Sequence, residues 1–323
     1  MISWFKKYRS WLSIAVRYLI GFIIVAWLLH SDLISLKALD QINIRTATIA
    51  TVLVFIHLFL SAWRVQILLA AHDISVGIWH CNTYNSIGVF YSLFLPGAMS
   101  GDLARAYCFW RSSPQASKSA LFGALFVDRL LGMITMVLLG LVAGTFLMAT
   151  LGLQQYVLAS WFGFVTLGAG YFFVVRLHHK GDKTQGGIFG RLLRFTEKID
   201  LQGYSARTLG VCSVLSLAGH LCAVLTIYLF SDLLHSGLNF LQIVAVAPFG
   251  LLANALPLTP GGLGIGEKGF DLLYAMIGGS QGGNSFLLSR IFIFAPAILG
   301  AIVLGYLFIK SHKSIFSGGS LEE

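Results

Sequence analysis

The chain has 323 residues, of which 57% are hydrophobic, and its mean hydropathy is +0.80. Only 11% of the residues are charged, too few to cover a soluble core of this size. The net charge of +9 is gathered in a few loops, which fits the cytoplasmic face of a membrane protein and argues against nucleic-acid binding.

Several apolar runs reach the roughly 20 residues that cross a hydrocarbon core of about 30 Å. No alternating strands of the outer-membrane barrel kind are present. The expected fold is an all-α polytopic membrane protein: about eight transmembrane helices plus re-entrant segments broken by Pro and Gly. Residues 1–316 are read as a single transmembrane domain with two loosely related halves, about 1–150 and 151–316, and 317–323 as a disordered tail. Cys81, Cys108, Cys212 and Cys222 have no CxxC spacing and read as small apolar fillers.

Lys6, Lys7 and Arg9 precede a first helix over about Trp11–Leu29 and put the N-terminus in the cytoplasm. No small-x-small cleavage site follows, so this helix is expected to be retained. A second helix spans about Ala47–Ala70, with Arg64 expected to snorkel toward the interface as an anchor. Asn82–Leu95 is apolar but short, and ends at Pro96-Gly97, so it reads as a re-entrant segment. The third helix covers about Ala120–Thr150 and carries Asp128 and Arg129. These are adjacent, hence about 100° apart on the helix, and need not pair.

A fourth helix is expected over about Tyr156–Val175. The loop after it, up to Arg207, holds seven Lys and Arg against three Asp and Glu and is read as cytoplasmic. A fifth helix covers about Thr208–Phe230, where His220 reads as hydrogen-bonded packing. A sixth runs from about Phe240 to Leu256, and a short seventh covers about Phe270–Ile277. The eighth, about Phe286–Ile309, carries Arg290 near its start. The expected location is the plasma (inner) membrane, multi-pass, with both termini cytoplasmic.

Two stretches carry most of the unusual chemistry. Leu95–Arg111 combines Pro96-Gly97 and Gly101 with Asp102, Arg105 and Arg111. Leu256–Phe270 combines Pro257, Pro260, Gly261, Gly262, Gly264 and Gly266 with Glu267. Each is an apolar helix, then Leu-Pro, then small residues, then a carboxylate. Paired breaks in two halves point to a transport site, because interrupted backbone at membrane depth is tolerated where it lines a cavity or is buried in protein. Ionisable groups there cost about 2.5–3.5 kcal/mol each on insertion scales and usually serve a function. The candidate substrate-binding set is Asp102, Arg105, Arg111, Asp128, Arg129, Pro260, Gly261, Gly262, Glu267 and Arg290. Both breaks are expected on the cytoplasmic side, with Asp102 and Arg105 close to Glu267.

The pattern of Pro96-Gly97, Gly101-Asp102, Arg105, Asp128-Arg129-x-x-Gly132 and Pro260-Gly-Gly-x-Gly-x-Gly-Glu267 resembles the flippase-like transmembrane domain of lysylphosphatidylglycerol synthases. The resemblance implies a flippase-like fold handling a lipid with a polar head. No soluble aminoacyl-transfer domain follows the last helix, so a stand-alone member that does not itself transfer lysine is expected.

The function expected from these readings is a lipid flippase or transporter. It would move or bind a lipid with a polar, anionic headgroup, of phospholipid, polyprenyl-phosphate or hopanoid type. The alternatives are a membrane-embedded glycosyl- or aminoacyl-type transferase and a non-catalytic accessory subunit of such a pathway. No paired acidic metal motif, HExxH, P-loop or GxSxG is present, so neither an enzyme nor a metal or cofactor is expected. The expected partners are a membrane lipid substrate and the bilayer. Association with lipid-biosynthesis enzymes and homo-oligomerisation are compatible with the sequence.

Overall fold

The computed structural model describes residues 36–94, 100–152, 204–254, 259 and 262–317, together with 154, 155, 157, 158, 160–162, 164 and 165. The expected first helix, most of the fourth, the basic loop before 204 and the tail 318–323 lie outside the described residues. So do 95–99, 255–258, Pro260 and Gly261.

Among the described residues the chain is helical and no strand occurs. A 3-10 turn at Leu36–Gln41 precedes α1 (Ile44–Ala70), α2 (Ile78–Phe94), α3 (Ser100–Ser112) and α4 (Lys118–Leu151). The second half contributes α5 (Ala206–Leu233), α6 (Phe240–Asn254), α7 (Ile265–Met276), α8 (Gly282–Ile291) and α9 (Phe294–Ser317). Four stretches are long and apolar enough to cross a membrane: Ile44–Ala70, Lys118–Leu147, Ala206–Leu233 and Gly282–Tyr306. The last is interrupted: the helix breaks into a turn at Phe292-Ile293, just before Pro296, a break that the expected eighth helix did not include.

Local chemistry sets the helix starts. The Asn43 side chain accepts a hydrogen bond from the Thr46 N–H (2.9 Å), and the Ser205 hydroxyl accepts one from Thr208 (3.1 Å). At α6, Asn239 and Gln242 each accept the other's backbone N–H, at 3.0 and 2.8 Å, closing a reciprocal cap.

The loops sort into two ends of the bundle. The chain at 71–77 and the start of α5 meet at one end, where His72 packs edge-on against Tyr204 (4.8 Å between ring centroids). At the other end, Ser280 N–H donates to the Ser236 carbonyl (2.9 Å), joining the turn after α7 to the turn after α5.

Two helical hairpins fill the space between the long helices. α2 and α3 run antiparallel: Tyr84 meets Phe109, Asn85 meets Arg105 and Gly88 meets Gly101. A Cβ on Gly101 would overlap the Gly88 carbonyl and the Ser92 hydroxyl, so glycine is required for this crossing. α6 and α7 form the second hairpin, with Gly250 against Phe270 and Asn254 against Gly266. The base of the α2–α3 hairpin is at the first end. The base of the α6–α7 hairpin, at 234–239 and 277–281, is at the second.

This corrects the expectation that the two breaks share a side. α5 has 28 residues and α6 has 15, lengths of about 42 Å and 22 Å at 1.5 Å per residue. The second break is therefore reached from the opposite end and lies within the bundle. The charge bias of flanking loops could not reveal this, because it reports where loops lie and not how deep a break sits.

Candidate functional site

The polar residues of the first half converge on Asp128. This carboxylate is 2% exposed, on the first third of α4. Its Oδ1 accepts from Arg64 Nε at 2.6 Å and its Oδ2 from Arg105 Nη2 at 3.1 Å. One buried carboxylate thus holds two buried guanidiniums, from α1 and α3. Arg64 Nη1 also donates to the Ser216 hydroxyl on α5. Arg105 Nη1 donates to Asn85 Oδ1 on α2 (3.2 Å). The network therefore ties together five helices, and each buried charge has a counter-charge as burial requires.

Arg64 is the largest departure from the sequence reading. It does not snorkel; it is 8% exposed and anchors Asp128. It lies six residues before the end of α1, about 9 Å along the axis. Gly132 lies beside it: a Cβ there would meet Arg64 Nη1 at an ordinary contact distance of 3.5 Å. The Gly132 carbonyl accepts from His220 Nε2 (2.8 Å), and the Gly219 carbonyl accepts from His57 Nδ1 (2.8 Å). Carbonyls only accept, so these bonds fix which ring nitrogen carries the proton in each histidine. His220 is hydrogen-bonded packing, as expected, with His57 beside it at 6.5 Å between ring centroids.

Asp102 and Arg129 complete the cluster in a looser way. Arg129 Nη1 is 3.2 Å from Asp102 Oδ2, and Arg105 Nη2 is 3.4 Å from Asp102 Oδ1. The Asp102 side chain is 30% exposed, against 3% for that of Asp128. Asp128 and the adjacent Arg129 indeed pair with different partners. Three guanidiniums against two carboxylates leave the cluster with one positive charge in excess. Arg105 Nε is buried and has no hydrogen-bond partner.

This cluster forms one wall of a cavity of about 560 Å³. Its polar part is lined by Arg64, Asp102, Arg105, Asp128, Arg129 and both histidines. Elsewhere it is mainly apolar, with Val89, Met133, Met136, Leu251, Ile293 and Pro296 among the lining residues. Both hairpins contribute, through Gly88 and Gly101 of the first and Leu251 and Leu252 of the second.

The second break forms a separate ionic group. Gly264 opens α7 with φ of +82°, a conformation suited to glycine. Glu267, three residues on, accepts the Gly264 N–H through Oε2 (2.7 Å) and Arg290 Nη1 through Oε1 (2.9 Å). Arg290 Nη1 also lies 3.3 Å from Asn254 Oδ1, and its guanidinium stacks 5.5 Å from the Phe286 ring. Glu267 is 1% exposed and neither it nor Arg290 lines the cavity. The expected nearness of Glu267 to Asp102 and Arg105 thus becomes two clusters, one with Arg64, Arg105 and Arg129 and the other with Arg290. Phe286 and Ser289, on the helix that bears Arg290, reach the shared cavity.

Of the remaining candidates, Arg111 is exposed in the last turn of α3 and does not line the cavity. Gly262 has φ of +71° and packs against Asn254. Pro260 and Gly261 lie outside the described residues. Sequence reasoning missed His57, Asn85 and Ser216 as members of the site. Asn85 and Ser216 look like ordinary polar residues in apolar helices, and only tertiary pairing distinguishes them.

A family model described as the lysylphosphatidylglycerol synthase transmembrane region matches residues 14–300. No curated protein and no solved structure matches the chain. With its spanning helices and this match over most of its length, the chain is a membrane protein belonging to the lysylphosphatidylglycerol synthase transmembrane-region family.

Proposed function

We propose that this protein binds a lipid with an anionic headgroup and carries it between leaflets without chemical change. The observation that carries the reading is the division of the cavity. One part offers three arginines against two aspartates, and the rest offers hydrocarbon. An amphipathic ligand matches both: its phosphate takes forked hydrogen bonds from guanidinium and its chains take the apolar wall.

The two hairpins act as re-entrant elements, entering from opposite faces and meeting the cavity at its middle. Such inverted, broken helices are the usual surroundings of a midplane transport site. The end formed by 71–77 and the start of α5 faces the cytoplasm, following the loop charge bias of the sequence. The setting is the plasma (inner) membrane.

The test is reconstitution of the purified protein into vesicles with a fluorescent phosphatidylglycerol, followed by quenching from outside. Transfer predicts that lipid initially protected in the inner leaflet becomes quenchable, with its mass unchanged. Arg105→Ala abolishes the effect. A changed lipid mass means a transferase instead, and no movement by the wild type overturns the proposal.

A further inference from the structure

We infer that Asp102 is a displaceable stand-in for the substrate's anionic group, so that the empty site is held closed by the protein's own carboxylate. This rests on the anionic-headgroup reading above and adds the residue with which the headgroup must compete.

The two aspartates of the cluster have different jobs. Asp128 is fixed: its side chain is 3% exposed and it bonds two guanidiniums at 2.6 and 3.1 Å. Asp102 is loose: its side chain is 30% exposed and its contacts with Arg105 and Arg129 are 3.4 and 3.2 Å. Strong guanidinium–carboxylate bonds are about 2.7–2.9 Å long. Both Asp102 contacts are longer, as is that of Asp128 with Arg105. What sets Asp102 apart is its exposure and the lack of any bond as short as that of Asp128 with Arg64.

The geometry at Arg105 shows what Asp102 is standing in for. Nε and Nη2 share one edge of the guanidinium, the edge that grips two oxygens of a carboxylate or phosphate side by side. Asp102 contacts Nη2, while Nε is buried with no partner. The edge is therefore half used. A phosphate with two free oxygens would fill both positions and reach Arg129 from the same side. Its single negative charge would take the place of that of Asp102, so the exchange leaves the charge balance around the arginines unchanged.

Asp102 can leave without being stranded. It sits in the first turn of α3, where the helix N-terminus favours a carboxylate, and part of its surface is already open. Asp128 keeps Arg105 in place while Asp102 moves aside. The incoming phosphodiester thus replaces one carboxylate, and on its departure Asp102 returns to the arginines and favours release.

The test is equilibrium binding of short-chain phosphatidylglycerol to the full-length protein in an uncharged detergent, with short-chain diacylglycerol, which has no phosphate, as the control. If Asp102 occupies the fork about nine-tenths of the time, Asp102→Asn binds phosphatidylglycerol about tenfold tighter than wild type. Asp102→Ala, a second variant at this partly open position, shifts the same way, and binding of the phosphate-free diacylglycerol does not change. If both variants bind phosphatidylglycerol no tighter than wild type, while Arg105→Ala loses it, Asp102 is a fixed part of the site. The inference then falls and the proposed function stands. If wild type and Arg105→Ala bind phosphatidylglycerol alike, the anionic-headgroup reading itself falls.

Discussion

Asp128 receives Arg64 Nε at 2.6 Å, joining α4 to α1 across 64 residues of sequence. The same carboxylate takes Arg105 from α3. This single residue is the support on which the basic wall of the cavity rests.

Removing that support exposes its weight. Asp128→Ala leaves two buried guanidiniums without their shared counter-charge, and losing one partner of a buried pair costs about 3–5 kcal/mol. The expected outcome is a clear fall in the unfolding temperature of the detergent-solubilised protein. Arg111→Ala, at an exposed position, leaves it unchanged. Replacing Arg64 and Asp128 together with apolar residues of similar volume recovers part of the loss, because no charge of that pair remains buried and unpaired.

Arg105→Lys separates charge from geometry. Lysine keeps one positive charge but cannot reach Asn85, Asp102 and Asp128 from one planar group. The variant is expected to fold and to retain a salt-sensitive, weakened affinity for anionic lipid. Binding titrations at two ionic strengths check this. Affinity equal to wild type at both would show that the fork is not used.

Gly101→Val tests the crossing of the first hairpin. Its side chain would overlap the Gly88 carbonyl and the Ser92 hydroxyl, which are backbone and near-backbone atoms with little room to yield. Overpacking of this kind costs about 1–3 kcal/mol. Gly144→Ala is the control, since a Cβ there would meet Val157 at an ordinary 3.5 Å. Thermal unfolding of the two variants is expected to differ accordingly.

Glu267 is expected to act through structure and not through lipid contact. Glu267→Gln weakens its hold on Arg290 and on the Gly264 N–H at once. Gln offers one carbonyl oxygen where the carboxylate used two, and it removes a buried charge from beside Arg290, so the loss is about 3–5 kcal/mol, comparable to that for Asp128→Ala. The measurement is stability together with lipid selectivity: unfolding temperature falls, while the preference for phosphatidylglycerol over phosphatidylcholine stays as in wild type. A lost preference at full stability would return Glu267 to the binding surface.

Much of this was legible in the sequence, for definable reasons. Long apolar runs gave α1, α4 and α5 within a few residues, because hydrocarbon thickness fixes helix length. The Pro and Gly breaks marked both hairpins, and the charges beside them marked Asp102, Arg105 and Glu267. What stayed hidden was tertiary. Arg64 looks like an interfacial anchor until its partner on α4 is known. The bonds of Glu267 to the Gly264 N–H and to Arg290 depend likewise on how α7 and α8 pack, which spacing does not record. The opposite entry of the two hairpins depends on helix depth, which loop charges do not record.

The most direct measurement is an experimental structure of the protein in a phosphatidylglycerol-containing lipid disc. The account predicts headgroup density within hydrogen-bonding reach of Arg105 Nε and Arg129, acyl density along Met133 and Met136, and Asp102 turned away from the arginines. A cavity without lipid, or a headgroup bound elsewhere with Asp102 still between Arg105 and Arg129, would contradict it.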